Sequence, residues 1–252
     1  MKKQFLIFAT AITTVAFISC SKEKIETQQP GNFEEIATAK KPGGGNSFTP
    51  VSNKGLLGRF EFNNNLKDAT GQLADGVSTV NRVLYTSDRK GQPDKAIRFN
   101  EAYGVNIFDV PLDEEMTLSV WVKNDFFPTI WRVPFAEGSH SFNLSQLENL
   151  YQVAYWTGIS GPNQSYETGP IDHEWHHVAA TRDLTSLKIY IDGNLVASVP
   201  TPPGTILGNT DSDYVIGYGW NADWRYWKGS MDDLRFYARV LSAAEINTLA
   251  NF

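Results

Sequence analysis

One pattern in the sequence has the spacing of a zinc site. His173, Glu174 and His177 form H-E-x-x-H, which on a helix would place two imidazoles one turn apart. Pro170 precedes the pattern, and Val178–Thr181 follow it in the extended pattern of a strand. In a strand, positions four apart are separated by about 13 Å, too far for two zinc–nitrogen bonds of about 2 Å. We therefore predict strand histidines beside a core tryptophan rather than zinc ligands.

Acidic residues could carry glycoside hydrolysis, which in its retaining form needs two carboxyl groups about 5 Å apart. A strand presents such a pair on one face only at even spacing, as in the E-x-D-x-x-E motif of sandwich glucanases. The sequence lacks that motif, and its acidic runs, Asp113–Glu115 and Asp232-Asp233, are direct neighbours. It also lacks a serine-nucleophile motif and a phosphate-binding loop. We predict no catalytic residues and keep a glycoside hydrolase as the least favoured alternative.

Aromatic side chains are concentrated in predicted loops, of which Tyr218–Arg225 is the richest. Sugars stack their C–H faces on such rings, while amide, carboxylate and guanidinium groups bind their hydroxyls. The alternative is that the rings pack the loops onto the fold or form a protein interface. The candidate ligand-binding residues are Trp131, Trp156, Trp220, Asn221, Asp223, Trp224 and Arg225.

Strands are the predicted elements that position these side chains. Trp175–Arg182, Ser186–Ile191 and Leu195–Val199 read as three antiparallel strands, and Asp192-Gly193-Asn194 is a short hairpin connection. In the second strand Leu187, Ile189 and Ile191 share one face, as in a half-buried strand.

The rest of the domain repeats this pattern of short strands separated by turns. Ala96–Asn100 and Tyr103–Phe108 are predicted to pair with each other, Val133–Glu137 is predicted to pair with Ser141–Leu144, and Gly158–Pro170 is predicted to be a loop. About a dozen such strands predict an antiparallel two-sheet sandwich. Ser242–Ala250 is the one good helix pattern, with Ser242 as N-cap and Glu245 at the capping-box position.

Several segments, taken in order, resemble laminin G-like domains of the concanavalin A-like lectin/glucanase superfamily. The resemblance covers roughly residues 55–252 and implies an all-β jelly-roll sandwich with one short C-terminal helix. It also implies core positions for Trp121, Trp175 and Trp227. The segments that carry it are 58–63, 68–71, 116–122, 175–179, 187–193, 229–237 and 241–246.

The resemblance further implies a structural calcium ion, which takes six to eight carboxylate and carbonyl oxygens. The matching positions are Asp68 and Gly71 in one loop, and Asp232 and Asp233 at the start of the last strand. Neighbouring strand residues face one ion only where a β-bulge intervenes. The alternative is that these carboxylates accept hydrogen bonds from backbone amides in turns.

The N-terminus has the organisation of a bacterial lipoprotein precursor. Residues 1–20 comprise a basic start, an apolar run over Phe5–Ile18 that is too short to span a bilayer, and a lipobox-like end at Cys20. Cys20 is the only cysteine, which favours lipid attachment over an ordinary signal peptide. Residues 21–53 read as a flexible tether, and residues 54–252 as the jelly-roll domain.

Composition narrows the set of partners. The formal net charge is -6, and its charges are interspersed, which disfavours nucleic-acid binding. We predict a non-catalytic, lipid-anchored cell-envelope protein of the outer membrane, with exposure at the cell surface as a further expectation. Its predicted partner is carbohydrate, and the alternative is a surface protein bound by an adhesion or assembly module.

Overall fold

The computed structural model describes residues 51, 53–111, 115–126, 132–137, 142–147, 150–156, 162–168, 172–201, 212–218 and 226–252. The predicted signal peptide, Cys20 and all of the predicted tether except residues 51 and 53 lie outside them. No helix within the described ranges combines the length and apolar character needed to cross a bilayer. The elements are β1 (Leu56–Phe60), β2 (Val77–Ser78), β3 (Leu84–Thr86), β4 (Ala96–Asn100), β5 (Val105–Val110), β6 (Met116–Asn124), β7 (Arg132–Glu137), β8 (Phe142–Leu147), β9 (Leu150–Trp156), β10 (Pro162–Thr168), β11 (Trp175–Arg182), β12 (Ser186–Ile191), β13 (Asn194–Pro200), β14 (Ser212–Ile216), β15 (Lys228–Tyr237) and α1 (Ala243–Ala250).

The strands form two antiparallel sheets. The eight-stranded sheet runs β13-β12-β11-β6-β15-β4-β3, with β1 also paired to β15. The seven-stranded sheet runs β10-β9-β8-β7-β14-β5-β2. Consecutive hairpins, such as β11–β13 and β7–β10, are joined to strands from distant parts of the chain, such as β6 with β15 and β5 with β14, as in a jelly roll. The predicted all-β, two-sheet jelly-roll class with one short helix is confirmed.

The core lies between the inner faces of the two sheets. Phe236 from the eight-stranded sheet meets Phe135 and Tyr214 from the seven-stranded sheet, with ring centroids 6.0 and 5.2 Å away. All three rings are fully buried, and tilted aromatic pairs at such distances are favourable. Trp227 is fully buried in the same core, as the resemblance implied.

The predicted three-strand stretch is confirmed as β11, β12 and β13. Leu187 and Ile189 enter the core, which agrees with the period of two. The hairpin residues Asp192 and Gly193 have φ values of 51° and 79°, and two successive positive values are typical of a type I′ turn. Tyr190, on the opposite face of β12, is nevertheless buried, because α1 covers that face.

The helix α1 begins with the predicted capping box. Ser242 Oγ accepts a hydrogen bond from the backbone N–H of Glu245, and the Glu245 carboxylate accepts one from the Ser242 N–H. The buried residues Ile246 and Leu249 then pack against Tyr190 and its neighbours on the outer face of the eight-stranded sheet. That face is therefore partly covered rather than open to solvent.

Three local predictions were wrong. The strands β4 and β5 lie in different sheets and do not pair with each other. The predicted loop Gly158–Pro170 contains β10, an edge strand that pairs with β9. Trp121 and Trp175 are only half-buried, because their side chains lie on the outer face of the eight-stranded sheet. In that sheet Trp121 pairs with His177 of β11 and Asp232 of β15.

The strand β15 occupies the centre of the eight-stranded sheet. One of its edges pairs with β6, and its other edge is shared by β4 and β1, which follow each other end to end. A β-bulge lies between Asp232 and Arg235, where Asp233 has a φ of 49°. We call this junction of β4, β1 and the bulge the seam.

Candidate functional site

The predicted sugar-binding loop starts and ends at a pair of stacked tyrosines. The rings of Tyr218 and Tyr226 have centroids 5.7 Å apart and planes inclined by 22°. Beside them, the backbone N–H of Trp227 donates a 2.9 Å hydrogen bond to the Gly217 carbonyl. The ends of segment 219–225 are therefore held together at its base.

Tyr218 also ties this base to the seven-stranded sheet. Its hydroxyl donates a 2.6 Å hydrogen bond to Asn106 Oδ1 in β5, and its ring packs with Val215. Val215 and Asn106 pair in register, between the core-facing pairs on either side of them. The loop base therefore lies on the outer face of the seven-stranded sheet, with Tyr226 half-buried.

Most of the predicted ligand-binding residues are beyond what the structure describes. Trp156 is the last residue of β9, paired in register with Pro162 of β10. The others lie outside the described residues: Trp131, Trp220, Asn221, Asp223, Trp224 and Arg225. Their role in ligand binding stays a prediction.

Asp68, a predicted calcium ligand, is an acceptor for its own loop. Its carboxylate accepts hydrogen bonds from the backbone N–H groups of Arg59, Thr70, Gln72 and Leu73, and from the Thr70 hydroxyl. Burial would raise the pKa of Asp68, but these donors outweigh it and lower the pKa. This is the amide-capping role that the sequence left open as the alternative.

Asp232 and Asp233, the other predicted calcium carboxylates, lie at the seam and face arginines. The β-bulge predicted for two neighbouring residues that face one ion is present, and it lets both carboxylates face the same cation. That cation is the Arg89 guanidinium. Arg235 binds Asp233 in bidentate fashion at 3.0 and 2.7 Å, and Arg59 Nε donates to the same carboxylate at 3.0 Å. We call Arg59, Arg89, Asp232, Asp233 and Arg235 the seam cluster.

The seam cluster is largely withdrawn from water. Burial raises the pKa of Asp232 to about 6, although Arg89 acts against it. Burial would also raise the pKa of Asp233, but the Arg235 and Arg59 guanidinium groups outweigh it and lower that pKa. Arginine supplies the countercharge here, and Gly71 lies in a separate turn closed by its own hydrogen bond to Asp68. As arranged, Asp68, Gly71, Asp232 and Asp233 do not form a common set of calcium ligands.

The H-E-x-x-H segment leads into a strand and forms no helix, so its two outer histidines do not lie one helical turn apart. His177 is buried in β11 with its Nε2 2.8 Å from Ser119 Oγ, whereas His173 is exposed just before the strand. No group of three or more His, Cys, Asp or Glu side chains in the described part of the chain is arranged to hold a metal ion.

His176 lies between two carboxylates that no sequence pattern links to it. Its Nδ1 is 2.8 Å from Asp192 Oδ2, and its Nε2 is 2.9 Å from Asp172 Oδ1. The hydrogen bond with Asp192 is the largest of the effects that raise the pKa of His176 to about 9. The charged imidazole therefore ties the segment before β11 to the β12–β13 turn.

Sequence reasoning missed the arginines of the seam cluster and the His176 bridge. Arg89 and Asp232 are 143 residues apart, so no local pattern connects them. The one usable signal is composition: Asp232, Asp233 and Arg235 place three charges in a strand that otherwise reads as buried. Buried charges require paired countercharges, so such a strand predicts arginine partners from elsewhere.

The chain is similar to one known family and to several solved structures. The family model of laminin G-like domains described as "Concanavalin A-like lectin/glucanases superfamily" matches residues 100–247. No curated protein sequence matches the chain.

Several solved structures resemble the chain at low sequence identity. Domain 4 of AbnA, a GH43 extracellular arabinanase from Geobacillus stearothermophilus solved with arabinotriose, is 23% identical with a TM-score of 0.63, and the match covers 77% of this chain and 98% of that one. A structure from work on the interaction of botulinum neurotoxin type C with two ganglioside molecules is 15% identical with a TM-score of 0.64, covering 78% and 51%.

A third similar structure, the binding domain of botulinum neurotoxin DC with rat synaptotagmin II, is 13% identical with a TM-score of 0.60 and covers 78% and 51%. The chain thus spans about half the length of these two toxin chains. At such identities these likenesses show the fold alone. With two antiparallel sheets and a family model that matches more than half of its length, the chain belongs to the concanavalin A-like lectin/glucanases superfamily as a laminin G-like domain.

Proposed function

We propose that this domain binds carbohydrate without turning it over, and that segment 219–225 supplies the main binding residues. The observation that carries the proposal is the closed base of that segment. The Tyr218–Tyr226 stack and the Trp227–Gly217 hydrogen bond hold its ends together. A loop held in this way loses less conformational entropy when it binds.

The composition of the loop supports sugar as the ligand class. Trp220 and Trp224 offer faces for stacking, and Asn221, Asp223 and Arg225 offer donors and acceptors for hydroxyl groups. Trp131 and Trp156 are proposed as additional contacts. Similar structures include a domain solved with arabinotriose, which supports a glycan ligand and makes arabinan a natural first test.

Affinity gel electrophoresis on a polysaccharide panel that includes arabinan tests the proposal. The full-length chain should be retarded by at least one glycan, and the double variant Trp220→Ala, Trp224→Ala should lose most of that retardation, since each stacked ring contributes about 1 kcal/mol or more. The matched control is Phe252→Ala, which removes an exposed C-terminal ring and should leave retardation unchanged. A chain that no glycan retards would refute the proposal.

The same preparations separate the remaining alternatives. Release of reducing sugar from any glycan in the panel would show hydrolysis instead of binding alone. Capture of an envelope protein by the parent chain, but not by the double variant, would assign the loop to protein recognition. That outcome has a precedent in the fold, because one similar structure holds synaptotagmin II.

We also propose that Cys20 carries a lipid that anchors the protein in the cell envelope, at the outer membrane and facing the cell surface. The lipobox-like sequence, the single cysteine and the following tether support this assignment. Metabolic labelling with a fatty acid should mark the parent chain and not Cys20→Ala, and label on both chains would contradict it.

A further inference from the structure

Asp232 and Asp233 share a cation that belongs to the chain itself. Arg89, in the connection between β3 and β4, donates from Nη1 to Asp232 Oδ2, and its Nη2 lies 3.6 Å from Asp233 Oδ2. The Arg89 side chain is 12% exposed, and those of the two aspartates are 6% and 8% exposed. The guanidinium and both carboxylates are therefore removed from solvent together.

We propose that Arg89 holds the cation position between Asp232 and Asp233, so that this aspartate pair closes the sheet with an internal guanidinium and takes no divalent ion. This inference concerns how the fold is held together, and it stands whether or not the domain binds carbohydrate.

The charges at the seam already balance. Arg59, Arg89 and Arg235 face Asp232 and Asp233, and Arg59 also pairs with Glu61 at 2.9 Å. Three guanidinium groups thus meet three carboxylates. A divalent ion would add two uncompensated charges to a site that is mostly buried, which is strongly unfavourable.

Three of the four carboxylate oxygens of Asp232 and Asp233 are also engaged by guanidinium groups. Asp232 Oδ2 contacts Arg89, Asp233 Oδ1 accepts from Arg59 and Arg235, and Asp233 Oδ2 accepts from Arg235. Calcium needs six to eight oxygens at about 2.3–2.6 Å, and each N–H donor on a carboxylate oxygen uses one of the lone pairs that the ion would need. The indole of Trp121 covers the guanidinium, with Arg89 Cζ 5.0 Å from the ring centroid.

The position of the pair explains why a cation is needed there. On the edge of β15 opposite β6, β4 pairs as far as Met231, and β1 pairs from Leu234 onward. Among the described strands, none pairs with the two bulge residues between them on that edge. Arg89 and Arg59 approach from the elements on either side and bind the bulge carboxylates, so their side chains replace the missing strand contacts at the seam.

Thermal unfolding of the full-length chain tests the structural half of the proposal. Removing one member of a buried ion pair leaves an uncompensated charge, so Arg89→Ala should lower Tm by on the order of 10 °C. The neighbouring control Lys90→Ala should change Tm by about 2 °C at most, because Lys90 is exposed. A Tm for Arg89→Ala as high as that of the control would overturn the proposal.

A double variant keeps the test decisive if Arg89→Ala fails to fold. Adding Asp232→Asn removes the charge left behind, so the double variant should unfold at a higher Tm than the single one. A double variant that is no more stable than Arg89→Ala would contradict the pairing of Arg89 with Asp232.

Terbium luminescence and calcium titration test the metal half. A terbium ion between the aspartates would be sensitised by Trp121, the ring that covers Arg89. We expect no terbium emission and no calcium-dependent rise in Tm that Asp232→Asn abolishes. Emission, or stabilisation by calcium, that is present in the parent chain and lost in Asp232→Asn would overturn the proposal.

Discussion

The response of the domain to acid should depend on one buried histidine, His177. Its Nε2 is bonded to Ser119 Oγ, and its Nδ1 has no hydrogen-bond partner among the residues that the structure describes. Burial lowers the pKa of His177 from 6.5 to about 4, and it outweighs the attraction of Asp233 and Asp192. Replacing this imidazole with a group that does not titrate should remove part of the pH dependence of folding.

The sign and size follow from linkage. The folded pKa of His177 lies below the unfolded one, so its contribution to stability is complete above about pH 6.5 and is lost as the pH falls through about 4. With about 1.4 kcal/mol for each pKa unit, the loss is about 2 kcal/mol at about pH 5 and about 3 kcal/mol at about pH 4.

A second group at the seam acts in the opposite direction. Burial raises the pKa of Asp232 from 3.8 to about 6. The folded domain therefore gains stability from Asp232 as the pH falls through about 6, because the carboxyl protonates more readily when folded. The acid profile of the parent chain alone would mix the two effects, whereas a comparison of two chains that both retain Asp232 isolates His177.

Urea unfolding of the full-length chain and His177→Gln at about pH 7 and about pH 5 makes that comparison. The glutamine keeps an amide near Ser119 without titrating, so the difference between the two unfolding free energies should shift by about 2 kcal/mol in favour of the variant on acidification. The control Val80→Ala changes an exposed side chain that does not titrate, so it should keep a constant difference. A constant difference for His177→Gln as well would refute the reasoning.

Two further predictions concern neighbouring features. His176 has a raised pKa of about 9, so its contribution to stability is complete below about pH 6.5 and is lost as the pH rises through about 9. Because Asp172 and Asp192 are well exposed, we expect a loss of only about 1 kcal/mol, absent in His176→Gln, and an equal alkaline loss in both chains would contradict the bridge. Gly217 has a φ of 84°, and an added Cβ would lie 2.3 Å from Cδ1 of buried Phe99. Gly217→Ala should therefore lower the free energy of unfolding, measured in urea, by about 3 kcal/mol. Gly91→Ala, where the backbone strain is similar and the space is open, should lower it by about 1 kcal/mol. Equal losses would show that the Phe99 ring moves aside.

The sequence was most informative where local rules decide the outcome. The β11–β13 strands, the Asp192-Gly193 turn and the Ser242 capping box follow from side-chain period and turn chemistry, which act over a few residues. β10 was missed because its residues are mostly polar, as in a loop. It also begins with Pro162, and proline is found in loops as well as at the first position of an edge strand. The burial of Tyr190 could not be predicted, because no local pattern shows that α1 will cover the outer face of β12.

At the seam cluster, too, local features could be predicted from the sequence and long-range contacts could not. The requirement for a bulge if Asp232 and Asp233 are to face one cation is a local rule, and the structure has that bulge. The identity of the cation is a long-range fact, since Arg89 reaches the seam from a distant connection. A carboxylate pattern shared by calcium and arginine cannot by itself distinguish the two, because both satisfy the same oxygens.

The position of β15 has a consequence for how the polypeptide acquires its structure during synthesis. The ribosome makes this strand after the other fourteen that the structure describes, yet β6, β4 and β1 must all pair with it. Until residue 237 has emerged from the ribosome, β6, β4 and β1 lack the central strand with which they pair. Folding must therefore wait for nearly the whole domain to be translated, and the many distant pairings then make the reaction slow.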